Sequence, residues 1–511
     1  MMNSVPVEPV ATSSRQRAMI LITVGLALMT VVSAVSGLNV ALPELARDTG
    51  ASQTELTWIV DAYTVVFAGL LLLAGAVGDR FGRRGILIVG LFIFGVAAAT
   101  ATFTTDPQNL IALRAFMGLG AAGIMPTTLS VITTSFPPQE RPRAIGVWVG
   151  IAGAGAVVGL FATGALLEFF SWNSFFWLNV MLAGLGALGT LAFVPGSREE
   201  SASPLDVVGG VLSLVGVAGL VFGIIESAER GWGDPVTATG LSVGIVGILG
   251  FLAWEWHSPA PLLDPRLFRL RGFSAGSLSI TVQFFAMFGF FFVVLQYLQF
   301  VAGYSPLEAA VRLLPLPLVL IPTARRAPVI AERLGFRLMG FVGLTLLGGG
   351  LLIMSTLQHH LEYGVLVAGL VIFAAGAGIA GTPATTAITA SLPRTKQGVA
   401  SAVNDTAREL GSAIGIAILG AAMTSSYRDG IAGLTADLPA PAAQALNASV
   451  AATRSPQITG LGERGRQIAT AAQQAFVDGT AQAMVIAAVI VFLAGLAVLV
   501  LAPPARSEEH C

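Results

Sequence analysis

Gly75-Ala76-Val77-Gly78-Asp79-Arg80-Phe81-Gly82-Arg83-Arg84 is a charged turn set between two long apolar stretches, and a second segment answers it far along the chain. That segment, Glu332-Arg333-Leu334-Gly335-Phe336-Arg337, repeats the order acid, Arg, apolar, Gly, x, Arg at a spacing of 253 residues. Two further echoes sit at nearly the same spacing. Ser135-Phe136-Pro137 returns as Ser391-Leu392-Pro393, and Gly155-x-x-x-Gly159 returns as Gly411-x-x-x-Gly415, both at 256. Offsets agreeing this closely point to an internal duplication of the whole architecture.

What is duplicated is apolar. Charged residues make up 11% of the 511, and hydrophobic residues 55% at a mean hydropathy of +0.80; ordinary soluble domains carry roughly 25% charge. Such a chain cannot cover a water-facing surface, so it reads as an all-α polytopic membrane protein. A net charge of −1 leaves no basic face for nucleic acid. Cys511 is the only cysteine. It excludes an internal disulfide and a cysteine-ligated zinc site, and as the last residue it is misplaced for prenylation. Lys396 is the only lysine among 27 basic residues, and Ala and Gly abound; this usage suggests a GC-rich bacterial genome.

Apolar runs long enough to cross the hydrocarbon, about 20 residues each, fall at 19–42, 56–77, 86–103, 110–132, 144–167, 175–194, 207–225, 236–254, 273–298, 307–321, 338–357, 364–390, 399–423 and 484–501. Fourteen spans are therefore expected. The first is too long for a signal-peptide core and lacks a small-residue cleavage site. The echoes superpose spans 2, 4 and 5 on spans 10, 12 and 13, an interval of eight. Two pseudo-symmetric bundles of six helices with two inserted between them give that interval. The expected units are a tail 1–17, a first bundle 18–195, an insert with linker 196–272, a second bundle 273–505 carrying a long outer loop 424–480, and a tail 506–511. Basic residues concentrate in the segments on the side of the N-terminus. Both termini are thus expected in the cytoplasm.

The quoted turn has features that this charge rule leaves unexplained. Gly75 would let the second span approach a neighbour closely, Gly82 would serve a tight turn, and Asp79 among arginines can form an ion pair that locks two helices. Its echo at Glu332, Arg333, Gly335 and Arg337 supports the same role in the second bundle. Here the chain resembles the major facilitator superfamily, whose signature between helices 2 and 3 is G-x-x-x-D-[RK]-x-G-[RK]-[RK], filled by Gly75, Asp79, Arg80, Gly82, Arg83 and Arg84. The layout of six, two and six helices, with Asn39-Val40-Ala41-Leu42-Pro43 and Trp58-Ile59-Val60-Asp61-Ala62-Tyr63, is similar to its fourteen-spanner drug:proton antiporter branch, the multidrug efflux type. The resemblance implies the major facilitator fold and alternating access around a midplane site between the halves.

Several positions depart from that branch. Ala34 stands where the first helix usually carries an acid. Met117 replaces the Gln of R-x-x-Q-G after Arg114. In the helix-5 motif Gly155, Gly159 and Gly164 are kept, but Leu160 replaces the kinking proline and Thr163 replaces a glycine.

Charges inside the spans are functional candidates, because each costs at least ~2.5 kcal/mol at the bilayer centre. The resemblance makes Arg114 a substrate or proton-relay residue; its structural alternatives are snorkelling outward and binding backbone carbonyls. Asp61 reads as its counter-ion, as a proton-carrying acid, or as a solvated helix-end acid. Asp405 and Arg408 stand at i,i+3 beside Asn404 and Glu409, and are either a neutralised pair or a coupling site. Arg312 beside Glu308 suggests a surface pair, and Glu226 an interfacial acid outside the bundles. His359-His360 lacks the spacing of a metal site. The aromatic stretch 284–300 suits a bulky apolar substrate or lipid contact equally, and the outer loop carries two possible short helices, 442–450 and 466–476.

The expected function is export of amphipathic, drug-like small molecules, coupled to protons. The alternative is a lipid or metabolite transporter of the same fold without tight coupling. The implied partners are small substrate, protons and membrane lipids. The chain is expected to be monomeric, to work without a cofactor or metal, to catalyse no reaction, and to reside in a bacterial cytoplasmic membrane.

Overall fold

The computed structural model describes residues 13–137, 139–196, 205–359, 361–392, 397–435 and 438–504, and every regular element among them is helical. The first six are α1 (Ser14–Thr49), α2 (Gln53–Phe81), α3 (Arg83–Ala101), α4 (Pro107–Ser135), α5 (Arg141–Leu167) and α6 (Asn173–Phe193). A hairpin follows, α7 (Val207–Arg230) and α8 (Pro235–His257). Then come α9 (Arg271–Gln296), which runs into a π-helical turn Tyr297–Val301, α10 (Pro306–Arg312), α11 (Pro315–Met354), α12 (Tyr363–Ala390) and α13 (Gln397–Thr435). Short α14 (Ala440–Ala448) and α15 (Pro456–Thr459) precede the last long helix, α16 (Glu463–Leu501).

Local sequence sets the boundaries. Ser52 and Glu55 form a reciprocal capping box at the start of α2, and Ser305 and Glu308 another at α10. Asp106 caps α4 ahead of Pro107, and Asp234 caps α8 ahead of Pro235. Gly50, at φ 70°, ends α1 in the left-handed conformation that glycine adopts without strain.

Twelve helical stretches among the described residues are long and apolar enough to cross a membrane. One of them, Pro306–Met354, has 49 residues. As a single straight helix it would reach about 70 Å, over twice the hydrocarbon thickness. It is interrupted between α10 and α11, and again at Gly335, whose φ of 74° and ψ of 158° are not helical. The segment expected as one long loop is shorter than its sequence suggested. α13 extends to Thr435 and α16 begins at Glu463, so helix takes up both ends of 424–480. The predicted short helices correspond to α14 and the first turns of α16.

Helices α1 to α6 pack among themselves, as do α9 and α11 to α13 with α16, and the insert α7–α8 touches both groups. Small residues set the closeness, as expected where apolar burial does not distinguish lipid from protein. A Cβ added to Gly90 would lie 2.8 Å from the carbonyl of Gly120, joining α3 to α4, and one on Gly343 would lie 2.8 Å from the carbonyl of Gly376, joining α11 to α12. A Cβ on Gly159 would lie 2.7 Å from Ser33 of α1, and its echo Gly415 lies against the backbone of Phe285 in α9. The duplication seen in the sequence is therefore a duplication of helix contacts.

Helix α7 does not stand outside the bundles. Val217, Val221 and Ile225 pack with Val65 of α2 and with Ala413 and Ala417 of α13, so the insert lines the seam between the two groups. Glu226 accepts from the Trp58 indole at 3.4 Å and pairs with Arg230 at 2.8 Å.

Candidate transport pathway between the halves

Gln299, at the end of α9, donates to the Val40 carbonyl near the end of α1 at 3.0 Å. The ends of α1 and α9 thus share one side, here the far face. The start of α9 lies on the opposite side with the end of α16, where Arg271 donates to the carbonyls of Leu501 and Val500; this is the termini face. On the far face the first group meets the second at further points. Glu168, at the end of α5, accepts from the Ser305 hydroxyl and from the Leu307 amide at 3.3 Å. A Cβ on Gly164 would come within 3.2 Å of Leu307, and one on Gly420 within 3.1 Å of the Thr57 hydroxyl.

Arg114 sits two turns into α4 and is fully buried. Its Nε donates to the Ile59 carbonyl at 2.9 Å, and its guanidinium lies 4.3 Å from the centre of the Tyr63 ring. Gly118, one turn on, lets α4 rest on the Tyr63 backbone. The Tyr63 hydroxyl donates to the Val31 carbonyl at 3.0 Å, extending the chain of contacts to α1. Both Nη atoms of Arg114 are buried without a hydrogen-bond partner. Of its two structural alternatives, snorkelling does not describe this side chain, whereas binding a backbone carbonyl does, through Nε alone.

Asp61 is also fully buried, yet the structure does not bring it to Arg114. Its Oδ1 accepts from Thr64 at 2.9 Å and its Oδ2 has no partner. The reason is helical phase. Ile59 and Tyr63 are four apart and share the α4-facing side of α2, while Asp61 lies midway between them on the other side. Thr57 and Val65, one turn either way from Asp61, pack against α13. Asp61 therefore shares the face of α2 that meets the second group.

On α13, Asp405 and Arg408 do not form an ion pair. Arg408 lies 5.2 Å from the Phe284 ring centre and its Nε is buried without a partner. Asp405 receives Asn404 at 3.5 Å, and Asn404 in turn accepts from Thr385 of α12 at 3.1 Å. Glu409 is half-buried on α13, the helix of the second group that meets α2. Phe284 stacks on Phe288 with ring centres 5.9 Å apart.

The repeated turns share backbone geometry on the termini face. Gly82 has φ 112° and Gly335 φ 74°, both in the region that favours glycine. Two residues on, Arg84 donates to the Leu191 carbonyl at 2.8 Å, and Arg337 to the Leu499 carbonyl at 2.6 Å. Each arginine ties the third helix of its group to the end of the last, where the C-terminal carbonyls want a cation. Arg80, Glu332 and Arg333 are exposed, and the side chain of Asp79 lies outside the described residues. Close approach falls to a glycine not singled out from sequence. A Cβ on Gly78 would lie 2.8 Å from the Thr127 methyl, but one on Gly75 makes ordinary contact with Pro126 at 3.5 Å. Gly155 likewise makes only ordinary contact, with Val32 at 3.5 Å.

One surface expectation changes. Arg312 is sandwiched between the Tyr304 and Tyr363 rings, 4.6 Å from each centre, while Glu308 serves the Ser305 cap. His359 contacts Gln473 at 3.0 Å, and His360 lies outside the described residues. Ala34 and Met117 are fully buried, and the Thr163 hydroxyl packs on Gly37.

A family model for the Major Facilitator Superfamily matches residues 24–416. The chain is 34% identical over 498 residues to the multidrug efflux pump LfrA of Mycolicibacterium smegmatis, covering 96% of this chain and 97% of that one. It is 34% identical to the methyl viologen resistance protein SmvA of Salmonella typhimurium, covering 86% of this chain and 89% of the relative. Identity to the puromycin resistance protein pur8 of Streptomyces alboniger is 35%, over 76% and 78%. In fold it matches a bacterial homologue of the human lysosomal transporter Spinster, solved inward-facing and unoccupied, with a TM-score of 0.68 at 18% identity over 97% and 100% of the two chains. With a signature turn built twice, two helix groups meeting at a seam, and relatives along nearly its whole length, the chain is a multi-pass membrane transporter and belongs to the Major Facilitator Superfamily.

Proposed function

We propose that this protein exports amphipathic, drug-like molecules across a bacterial cytoplasmic membrane by alternating access, coupled to proton entry. One observation carries the reading: Asp61 and Arg114 are both fully buried and each keeps an unpartnered polar atom, Asp61 on the helix that meets the opposite half and Arg114 on the helix packed behind it. A buried charge without a compensating partner is costly and is retained for work rather than for stability. Relatives named as a multidrug efflux pump and as antibiotic export proteins supply the direction and the kind of cargo.

In this reading the twelve apolar stretches correspond to fourteen crossings. Pro306–Met354 crosses twice, turning at Gly335, and α5 adds one more. The units 18–195 and 273–505 rock about the seam, with 196–272 as insert. The arginine-rich termini face is cytoplasmic and the far face is outside, so the structure has its outer side closed. Asp61 is the proton carrier. Arg114, held on Tyr63, responds to that charge through α2. Glu409, Asp405 and Arg408, with Phe284 and Phe288, form the cargo surface of the second half: two carboxylates beside stacked rings suit an aromatic molecule with a polar or cationic end. The signature turns bias one facing state. The protein works as a monomer and performs transport, not catalysis.

Purified protein in liposomes under an imposed pH gradient tests this. Cargo should move against its gradient when the cargo-entry side is alkaline, and transport indifferent to the gradient rejects the coupling. A second reading, a facilitator or lipid transporter without tight coupling, is favoured by Ala34, buried where the branch usually has an acid, and by Leu160 and Thr163 in the helix-5 motif. The same assay separates the two.

A further inference from the structure

The far-face seam contains a polar bond that no expectation above includes. Pro43 lies inside α1 and has no N–H, so the turn from Asn39 to Pro43 lacks one helical bond. Within that turn the Val40 carbonyl is reached by Gln299 of the opposite half at 3.0 Å. Gln299 sits in the π-helical turn Tyr297–Val301, is 2% exposed, and leaves its Oε1 without a partner. Two local irregularities, a proline inside α1 and the π turn that follows α9, thus meet through one hydrogen bond. A π turn inserts an extra residue and redirects the side chains after it, and such turns cluster at functional positions. At the rim of the same seam Glu168 of α5 holds Ser305 and the Leu307 amide.

We propose that Gln299 is a positioning residue of the transport cycle. Its amide holds the proline-containing end of α1 against the end of α9 and so sets the stability of the far-face-closed state, with Glu168 as a weaker second point at the rim. Opening this face separates Gln299 from Val40 and hydrates both, so the bond weighs on the balance between states without touching cargo. The role rests on the two halves alternating, but on neither the cargo nor the proton.

The test reads the gate directly. In a Cys511→Ser background, spin labels at Phe103→Cys of the first half and Asp429→Cys of the second, both exposed on the far face, report the distance across the seam in nanodiscs, without cargo or gradient. One net hydrogen bond corresponds to roughly a two- to twelve-fold change in populations. Gln299→Leu should raise the ratio of long to short distances by that factor. Gln299→Asn, too short to reach Val40, should shift it in the same direction and serves if the leucine variant does not fold. Glu168→Leu should give a smaller shift that adds to that of Gln299→Leu, while Glu168→Gln, still able to accept, keeps the parental distribution. Parental distances in the folded Gln299 variants overturn the proposal, even with transport lost, because Gln299 would then act on cargo or on folding. Failed export or coupling with the predicted distance shifts would count against the functional reading and leave the gate standing.

Discussion

Arg114 stands over Tyr63 with its guanidinium 4.3 Å from the ring centre, and its bond to the Ile59 carbonyl fixes it there. The aromatic face takes the place of a carboxylate. Cation–π contact offsets part of the cost of burying the charge, about 2 kcal/mol when desolvated, and leaves two donors unused. Tyr63 carries the contact onward to α1.

Replacing Arg114 should therefore separate function from stability. Arg114→Met keeps much of the volume and removes two unsatisfied buried donors. Its thermal midpoint should hold or rise by a few degrees, since exchanging buried charge for apolar packing is often neutral or stabilising. Transport should fall by about tenfold or more, as expected when a functional intramembrane charge is lost. Arg114→Lys should fare little better, because a point charge does not stack on Tyr63 while bonding Ile59. Unfolding curves and liposome uptake read the two effects; a destabilised, active methionine variant would make Arg114 structural.

Asp61 faces the second half and lacks a cation, so its charge state is free to depend on which side is open. Asp61→Asn keeps the bond with Thr64 and removes the charge. Driven transport should drop to the level seen without a pH gradient, while downhill exchange of cargo persists. Uptake with and without the gradient measures this, and an asparagine variant that still concentrates cargo would move the proton site elsewhere on the seam.

Glycine requirements in the signature turn are unequal. Gly82 and Gly335 hold positive φ, where any other residue costs of order 1–3 kcal/mol. Gly82→Ala and Gly335→Ala should each lower the thermal midpoint by several degrees and reduce transport. Gly78→Ala pushes against Thr127 and should also be harmful, whereas Gly75→Ala has room beside Pro126 and should be tolerated. A thermal-shift series over the four variants ranks them.

Much of this was readable in the residues. Hydropathy runs mark the spans, and the Gly82 and Gly335 echo marks a duplication that returns as matched backbone geometry and matched arginine caps. Phase around a helix was legible in principle. Ile59, Asp61 and Tyr63 are spaced so that Asp61 opposes the other two, and pairing Asp61 with Arg114 overlooked this. Other features were out of reach. Whether Arg408 meets Asp405, one turn away, or Phe284 on another helix depends on side-chain direction and on what α9 presents. The place of α7 in the seam depends on shape complementarity among Val65, Val217 and Ala413, which are unremarkable apolar residues in sequence. The Gln299–Val40 bond joins residues 259 apart through two backbone irregularities. Pro43 announces the first of these; nothing local announces the π turn.

If the halves rock about the seam, fixing their far-face contact should stop transport. Thr57 of α2 and Gly420 of α13 approach so closely that a Cβ on Gly420 would lie 3.1 Å from the Thr57 hydroxyl. That closeness makes the pair a candidate for a disulfide, whose Cβ atoms lie roughly 3.5–4.5 Å apart. In a Cys511→Ser background, the Thr57→Cys/Gly420→Cys variant should oxidise readily and lose transport, and reduction should restore it. Each single variant should stay active under oxidant, which controls for the added side chain at Gly420. Full activity in the cross-linked protein would mean that this part of the seam does not open during the cycle, and the rocking motion would have to pivot on α2 and α13 rather than part them.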